Sequence, residues 1–157
     1  MRSSRRHLRK KIRGTRRRKQ MRGGSFRVQF ASKNAAEDLR PRSETLEQPT
    51  LQWNSGNGAA LYTVLMWDPD APASSWIHLL VVNIPGSNLS AGETVLPYMP
   101  PTPPSGTHRY YITLYKQSGR INVSPPSQRG NFDVGGFVAQ HTLAKMGEKM
   151  IRVAAEN

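Results

Sequence analysis

Apolar and polar positions alternate with period two across Ser25-Phe-Arg-Val-Gln-Phe30, which is the pattern of a strand with one buried face. LQW (51–53) is a shorter strand segment, NSGNG (54–58) is a turn, and ALYTVLMW (60–67) is an apolar, β-branched and aromatic run of strand length. IHLLVVNI (77–84) is apolar almost without interruption, as expected of a central strand covered on both faces, and Pro85-Gly86 stops it. HRYYITLYKQ (108–117) is the third strong strand, with aromatics interleaved.

The stretches between are turn-rich. Residues 31–48 are polar and acidic without periodicity and read as loop. Residues 87–107 form a long connection whose centre, LPYMPPTPPSG, is too rich in proline for ladder pairing. SGRINV (118–123) reads as a turn with at most a short strand, and SPPSQRGNF (124–132) as a loop. A single helix is predicted near 134–146, followed by a last strand. No segment repeats. Short strands, frequent turns and one late helix predict a β-dominated sandwich.

Composition refines this picture in one respect. The 157 residues suit one domain, and the net charge of +13 suggests a polyanionic partner. That charge is concentrated: residues 1–22 hold twelve Lys/Arg and no acid, whereas the remainder holds eleven against ten acids. The reading is a flexible basic arm over residues 1–24, jointed at Gly23-Gly24, ahead of a nearly neutral domain over 25–157. Arg5, Arg6, Arg9, Lys10, Lys11, Arg13, Arg16, Arg17, Arg18 and Lys19 are the candidate polyanion-binding residues, facing nucleic acid, anionic lipid or an acidic protein surface. A solvated tail and a transit peptide are the competing readings of the same segment. No apolar run approaches the ~18 residues of a membrane helix, and no signal-peptide core is present. A soluble protein not secreted by a signal peptide is expected, in a virion or a host cytoplasm.

Candidate chemistry centres on DPDAPASSWIHLLVVNIPG (68–86). Asp68 lies where a strand leaves the sheet, and Pro69 and Pro72 restrict the backbone around Asp70. Carboxylates so placed cap a turn, bind a cation or orient donors around a ligand. Ala71–Pro72 is a candidate cis bond. His78 lies in the apolar run and His108 opens the next strong strand. If those strands are neighbours, two histidines and two aspartates gather at one end of the sheet. The chain has no cysteine, its four histidines are too scattered to suggest a metal site, and no serine lies in a G-x-S-x-G turn. Neither a catalytic residue, nor a metal, nor a cofactor is expected.

DPDAP (68–72), W-x-H with LVVNIPG (76–86), YMPPTPPSGTHRYY running on to LYKQ (98–117), and RGNF (129–132) resemble, in this order, the phosphatidylethanolamine-binding protein family. The resemblance implies a β-sandwich with a small surface pocket for phosphate or a phospholipid head group. It implies that Asp68, Asp70 and Pro72 form the pocket's acidic wall, Trp76 and His78 its aromatic and imidazole side, and Gly106, His108 and Tyr110 the opposite wall. Arg109 and Arg129 would serve structural ion pairs. Departures are the short Ala73-Ser74-Ser75 rim, Leu79 in place of a frequent aromatic, Pro100 in place of a frequent glycine, and the absence of the C-terminal helix of animal members. The compact form is similar to bacterial, archaeal or large-DNA-virus members.

Three functions are expected from this reading. The leading one is a non-catalytic anion or head-group-binding module tethered by its arm. The alternatives are a structural component of a virion or similar particle with a vestigial pocket, and a kinase or protease regulator by family analogy.

Overall fold

The computed structural model describes residues 26–31, 33–34, 38–56 and 58–156; the ten arm cations named above lie outside the described residues. Nine strands and one helix are present among the described residues: β1 (Arg27–Phe30), β2 (Lys33–Asn34), β3 (Leu39–Arg40), β4 (Thr50–Gln52), β5 (Leu61–Asp68), β6 (Trp76–Pro85), β7 (Glu93–Leu96), β8 (Thr107–Lys116), α1 (Val134–Gln140) and β9 (Ala144–Ala154). Six strands form the main sheet in the order β3-β9-β8-β5-β6-β7, and β2-β1-β4 form a small second sheet. All pairs are antiparallel except β3 with β9.

The alternation in β1 works as its pattern requires. Val28 and Phe30 turn inward with Leu51 and Trp53, and the small sheet packs through them on Tyr62, Val64, Met66, Leu79, Ile112 and Ile151 of the main sheet. The opposite face of the main sheet carries Leu65, Leu80, Val82 and Tyr115 against Phe137 of α1, Leu143, and Phe132 and Ile121 of the preceding loops. Because both faces are covered, β6 is buried from Ile77 to Ile84 and shows no alternation.

Sequence and structure part in several places. The helix ends at Gln140 rather than near 146. The chain turns at Thr142, whose φ is +51°, and residues 144–154 pair along the length of β8 instead. Ladder pairing along β8 outweighs the helical preference of Leu143, Ala144, Lys145 and Met146, and Gly135 and Gly136 already lower that preference inside α1. Residues 31–48 hold β2, β3 and a 3-10 turn over Arg42–Thr45, and the 87–107 connection holds a 3-10 turn over Leu89–Ala91 and β7. These strands have no more than four residues, too few to display a period. Residues 118–123 form no strand. Every described peptide bond is trans, Ala71–Pro72 included.

Candidate functional site

The ends of three strands meet at one point. β5 finishes at Asp68, β6 starts opposite it at Trp76, and β8 starts at Thr107 beside β5. Here Asp68, Pro72, Trp76, His78, His108 and Tyr110 line a cavity of about 260 Å³, joined by Ala71, Ala73, Thr102 and Pro104. Asp68, His78 and His108 are buried polar groups, so each needs a partner.

Asp68 performs two of the three tasks open to it. Its Oδ1 accepts from the Asp70 amide at 2.7 Å, capping the Asp-Pro turn, and its Oδ2 accepts from His108 Nδ1 at 2.7 Å. Asp70 belongs to the motif but not to the cavity wall. It accepts from Arg109 through the backbone amide (2.9 Å), Nε (3.0 Å) and Nη2 (2.8 Å). These bonds hold its carboxyl at about 2, below the usual 3.8, and keep the Arg109 guanidinium charged. The ion pair implied for Arg109 is therefore present, with Asp70 as its partner.

His78 Nδ1 donates to the Met99 carbonyl at 2.7 Å, and the Met99 amide donates back to the His78 carbonyl at 2.8 Å. This reciprocal clamp fixes the Pro-rich segment as the pocket's third side. Burial pushes the His78 imidazole below its ordinary value of 6.5, with the bond to Met99 opposing. Burial raises the Tyr110 hydroxyl, aided by the Asp68 charge beside it. The rings form a chain with centroids 4.7 Å apart for Trp76–His78, 5.1 Å for His78–Tyr110 and 6.5 Å for Tyr110–His108.

The RGNF segment braces the pocket from outside. Among the described residues Arg129 makes no ion pair, contrary to expectation. It donates to the carbonyls of Ile77 (3.0 Å) and Pro97 (2.8 Å) and lies over the Trp76 ring, 5.4 Å from its centroid. The Asn131 amide bonds the carbonyls of Ala73 and Ser74, both at 2.7 Å, which fixes the short rim in which Ser74 and Ser75 have φ of +45° and +48°. Gly130 fits because a Cβ there would stand 2.7 Å from Ala73 Cβ and 3.3 Å from Trp76 Cδ1.

Of the expected pocket residues, six line the cavity and two do not. Gly106 shapes the entry to β8, with φ of +64° and a carbonyl that accepts from the Ala155 amide at 2.7 Å. Ala71, Ala73, Thr102, Pro104 and the Met99 backbone were missed. The signal for the last three lay in the proline run before Gly106, whose spacing carries no period to read. Among the described residues no cluster of His, Asp and Glu is suited to a metal ion. Likewise, no described helix is long and apolar enough to cross a membrane.

A β-sandwich with a histidine-lined pocket at its strand ends is the class of protein these observations define. Residues 21–151 match the family described as PBP: Phosphatidylethanolamine-binding protein, and the chain belongs to that family. It is 36% identical over 129 residues to Protein MOTHER of FT and TFL1 homolog 2 of Oryza sativa subsp. japonica, covering 76% of this chain and 74% of the rice protein. It is 36% identical over 113 residues to Protein TWIN SISTER of FT of Arabidopsis thaliana, covering 68% of this chain and 64% of the other. Among solved structures, the carboxypeptidase Y inhibitor complexed with its cognate proteinase superposes with a TM-score of 0.75 at 22% identity, covering 83% of each chain. The phosphatidylethanolamine-binding protein from Plasmodium vivax gives 0.68 at 17%, covering 83% of this chain and 85% of that one. These two establish the fold. No enzymatic family is indicated by the matches.

Proposed function

We propose that the chain is a non-catalytic binding module whose pocket holds a phosphate-like anion, free or as a phospholipid head group, and whose basic segment engages a polyanionic partner. The observation that carries the pocket reading is the pair of histidines turned the same way. Each commits Nδ1 to a fixed acceptor, Asp68 or Met99, and each contributes to the wall of one small cavity. A cavity of about 260 Å³ lies just below the ~300–1,000 Å³ of sites for drug-sized ligands, so it suits a head group rather than acyl chains.

Titration of phosphorylethanolamine into the full chain and His108→Asn, followed by calorimetry, tests the pocket. Asparagine retains a donor toward Asp68, so the fold survives. The expected result is an affinity loss of at least about tenfold, which is the cost of one charge-assisted hydrogen bond. Equal affinity would refute the reading.

Twelve cations in 22 residues beside a near-neutral body support the tether. A salt series against duplex DNA and anionic vesicles, with the full chain and residues 23–157, tests it. Steep salt dependence lost with the arm is expected for nucleic acid. The reading as a particle component rests on the same arm, and it requires that deleting residues 1–22 abolish incorporation while pocket variants assemble normally.

A further inference from the structure

We infer that the pocket selects a guest that brings its own proton on oxygen, a phosphomonoester in its hydrogen-phosphate form, over a phosphodiester carrying the same substituent. The inference rests on the anion-pocket reading above and deepens it. A backbone carbonyl only accepts, so the 2.7 Å contact to Met99 places a proton on His78 Nδ1; the Asp68 carboxylate does the same for His108 Nδ1 at 2.7 Å. Burial disfavours the charged form of the His78 ring, which is then left with a bare Nε2 lone pair. A lone pair facing an anion is a mismatch unless protons enter with it.

The surroundings do not supply those protons readily. From β5, Asp68 is already shared between His108 and the Asp70 amide, and its charge also acts on His78. From β8, the Tyr110 hydroxyl engages Asp68. From the 129–132 loop, Arg129 is committed to carbonyls and, as a nearby cation, disfavours a charged His78. Asp70, which faces His108, is held by Arg109. The Thr102 hydroxyl adds a neutral donor to the wall. Burial also disfavours the His78 imidazolium. A phosphomonoester with a second pKa of about 6 still carries a P–OH on about half its molecules at pH 6 and loses it as pH rises. It donates that proton to His78 Nε2. A diester has no P–OH and must draw a proton onto the His78 ring, whose charged form burial disfavours.

The experiment compares phosphorylethanolamine, a monoester, with glycerophosphoethanolamine, a diester with the same amine, by calorimetry on the full chain at pH 6.0 and pH 8.0. One missing hydrogen bond amounts to about tenfold in affinity. The monoester is expected to bind about tenfold tighter at pH 6.0 and to weaken at pH 8.0 with measurable proton uptake from buffer. Equal or tighter diester binding at pH 6.0, or monoester affinity unchanged between the two pH values, would overturn the inference and leave the anion pocket standing. Binding of neither ligand at either pH would overturn both. Nitrogen-15 spectra of the histidine side chains provide an independent check: His78 should be the Nδ1–H tautomer in the free protein, and an Nε2–H tautomer there would refute the inference.

Discussion

Asn83 lies inside β6 with φ of +52°, buried to 3% exposure in a strand otherwise apolar. Its side chain makes all the hydrogen bonds an amide can make. Nδ2 donates to Glu93 Oε2 (3.1 Å) and the Ile121 carbonyl (2.7 Å), and Oδ1 accepts from Gln117 Nε2 (2.8 Å) and the Ile121 amide (2.9 Å). Gln117 Oε1 in turn accepts from the Asn83 amide and the Thr63 hydroxyl. Asn83→Ala keeps the backbone amide bond but strips four contacts from the cluster. Glu93 is half exposed and turns to water, so little is lost there. The Gln117 donor is fully enclosed and the two Ile121 groups only partly. Together they cost roughly 2–4 kcal/mol at the usual range for groups left without partners. Alanine at positive φ adds about 1 kcal/mol that asparagine tolerates and glycine avoids.

The sum lowers the melting temperature by on the order of 10 °C for a domain of this size. Calorimetric melting of Asn83→Ala, Asn83→Gly and the double variant with Gln117→Ala measures it. Asn83→Gly should fall between wild type and Asn83→Ala, and the double variant should cost less than the sum of the singles. A change in Asn83→Ala within about 0.5 kcal/mol, or strict additivity, would show that the cluster holds nothing together.

Gly130→Ala places its Cβ 2.7 Å from Ala73 Cβ, so it should shift the pocket rim, cost about 1–3 kcal/mol in thermal melting and weaken phosphate binding; unchanged binding would mean the rim is pliant. Asp70 titrates at about 2 in the fold against 3.8 free, so its pairing with Arg109 stabilises fully above pH 3.8 and fades as pH falls through about 2. Asp70→Asn should therefore be less stable at pH 5 and converge with wild type near pH 2 in acid-unfolding curves, whereas a pH-independent gap would refute the pairing. The Asp133 carboxylate caps α1 by accepting from the Gly136 amide at 2.9 Å, and Asp133→Ala should cost about 1 kcal/mol in chemical denaturation, with no loss implying an idle cap.

The fold was legible where a period or an unbroken apolar run was long enough to read. β5, β6 and β8 fall within a residue or two of their expected bounds, since eight to ten consecutive positions record which faces are covered. The ends of α1 and β9 were not legible. Leu143, Ala144, Lys145 and Met146 favour helix by intrinsic propensity, and the pairing partner that decides for strand starts some 30 residues earlier in β8. The same holds for polar partners. Asp68 and His108 were expected at one end of the sheet through the motifs that carry them, whereas Asn83 with Gln117 and Arg129 with the Ile77 and Pro97 carbonyls join positions no local pattern relates. Asp70 looked like a wall residue because it shares the DPDAP turn; which way a carboxylate faces depends on the strand beside it.

Whether an anion enters between the two histidines is tested most directly by titrating inorganic phosphate into histidine-labelled full-length protein and following the Nε2 resonances of His78 and His108. Both should move together and saturate, while the ring of His141, which packs on Phe137 away from the cavity, stays still. Saturable binding that leaves His78 and His108 unmoved would place the anion elsewhere and contradict the pocket.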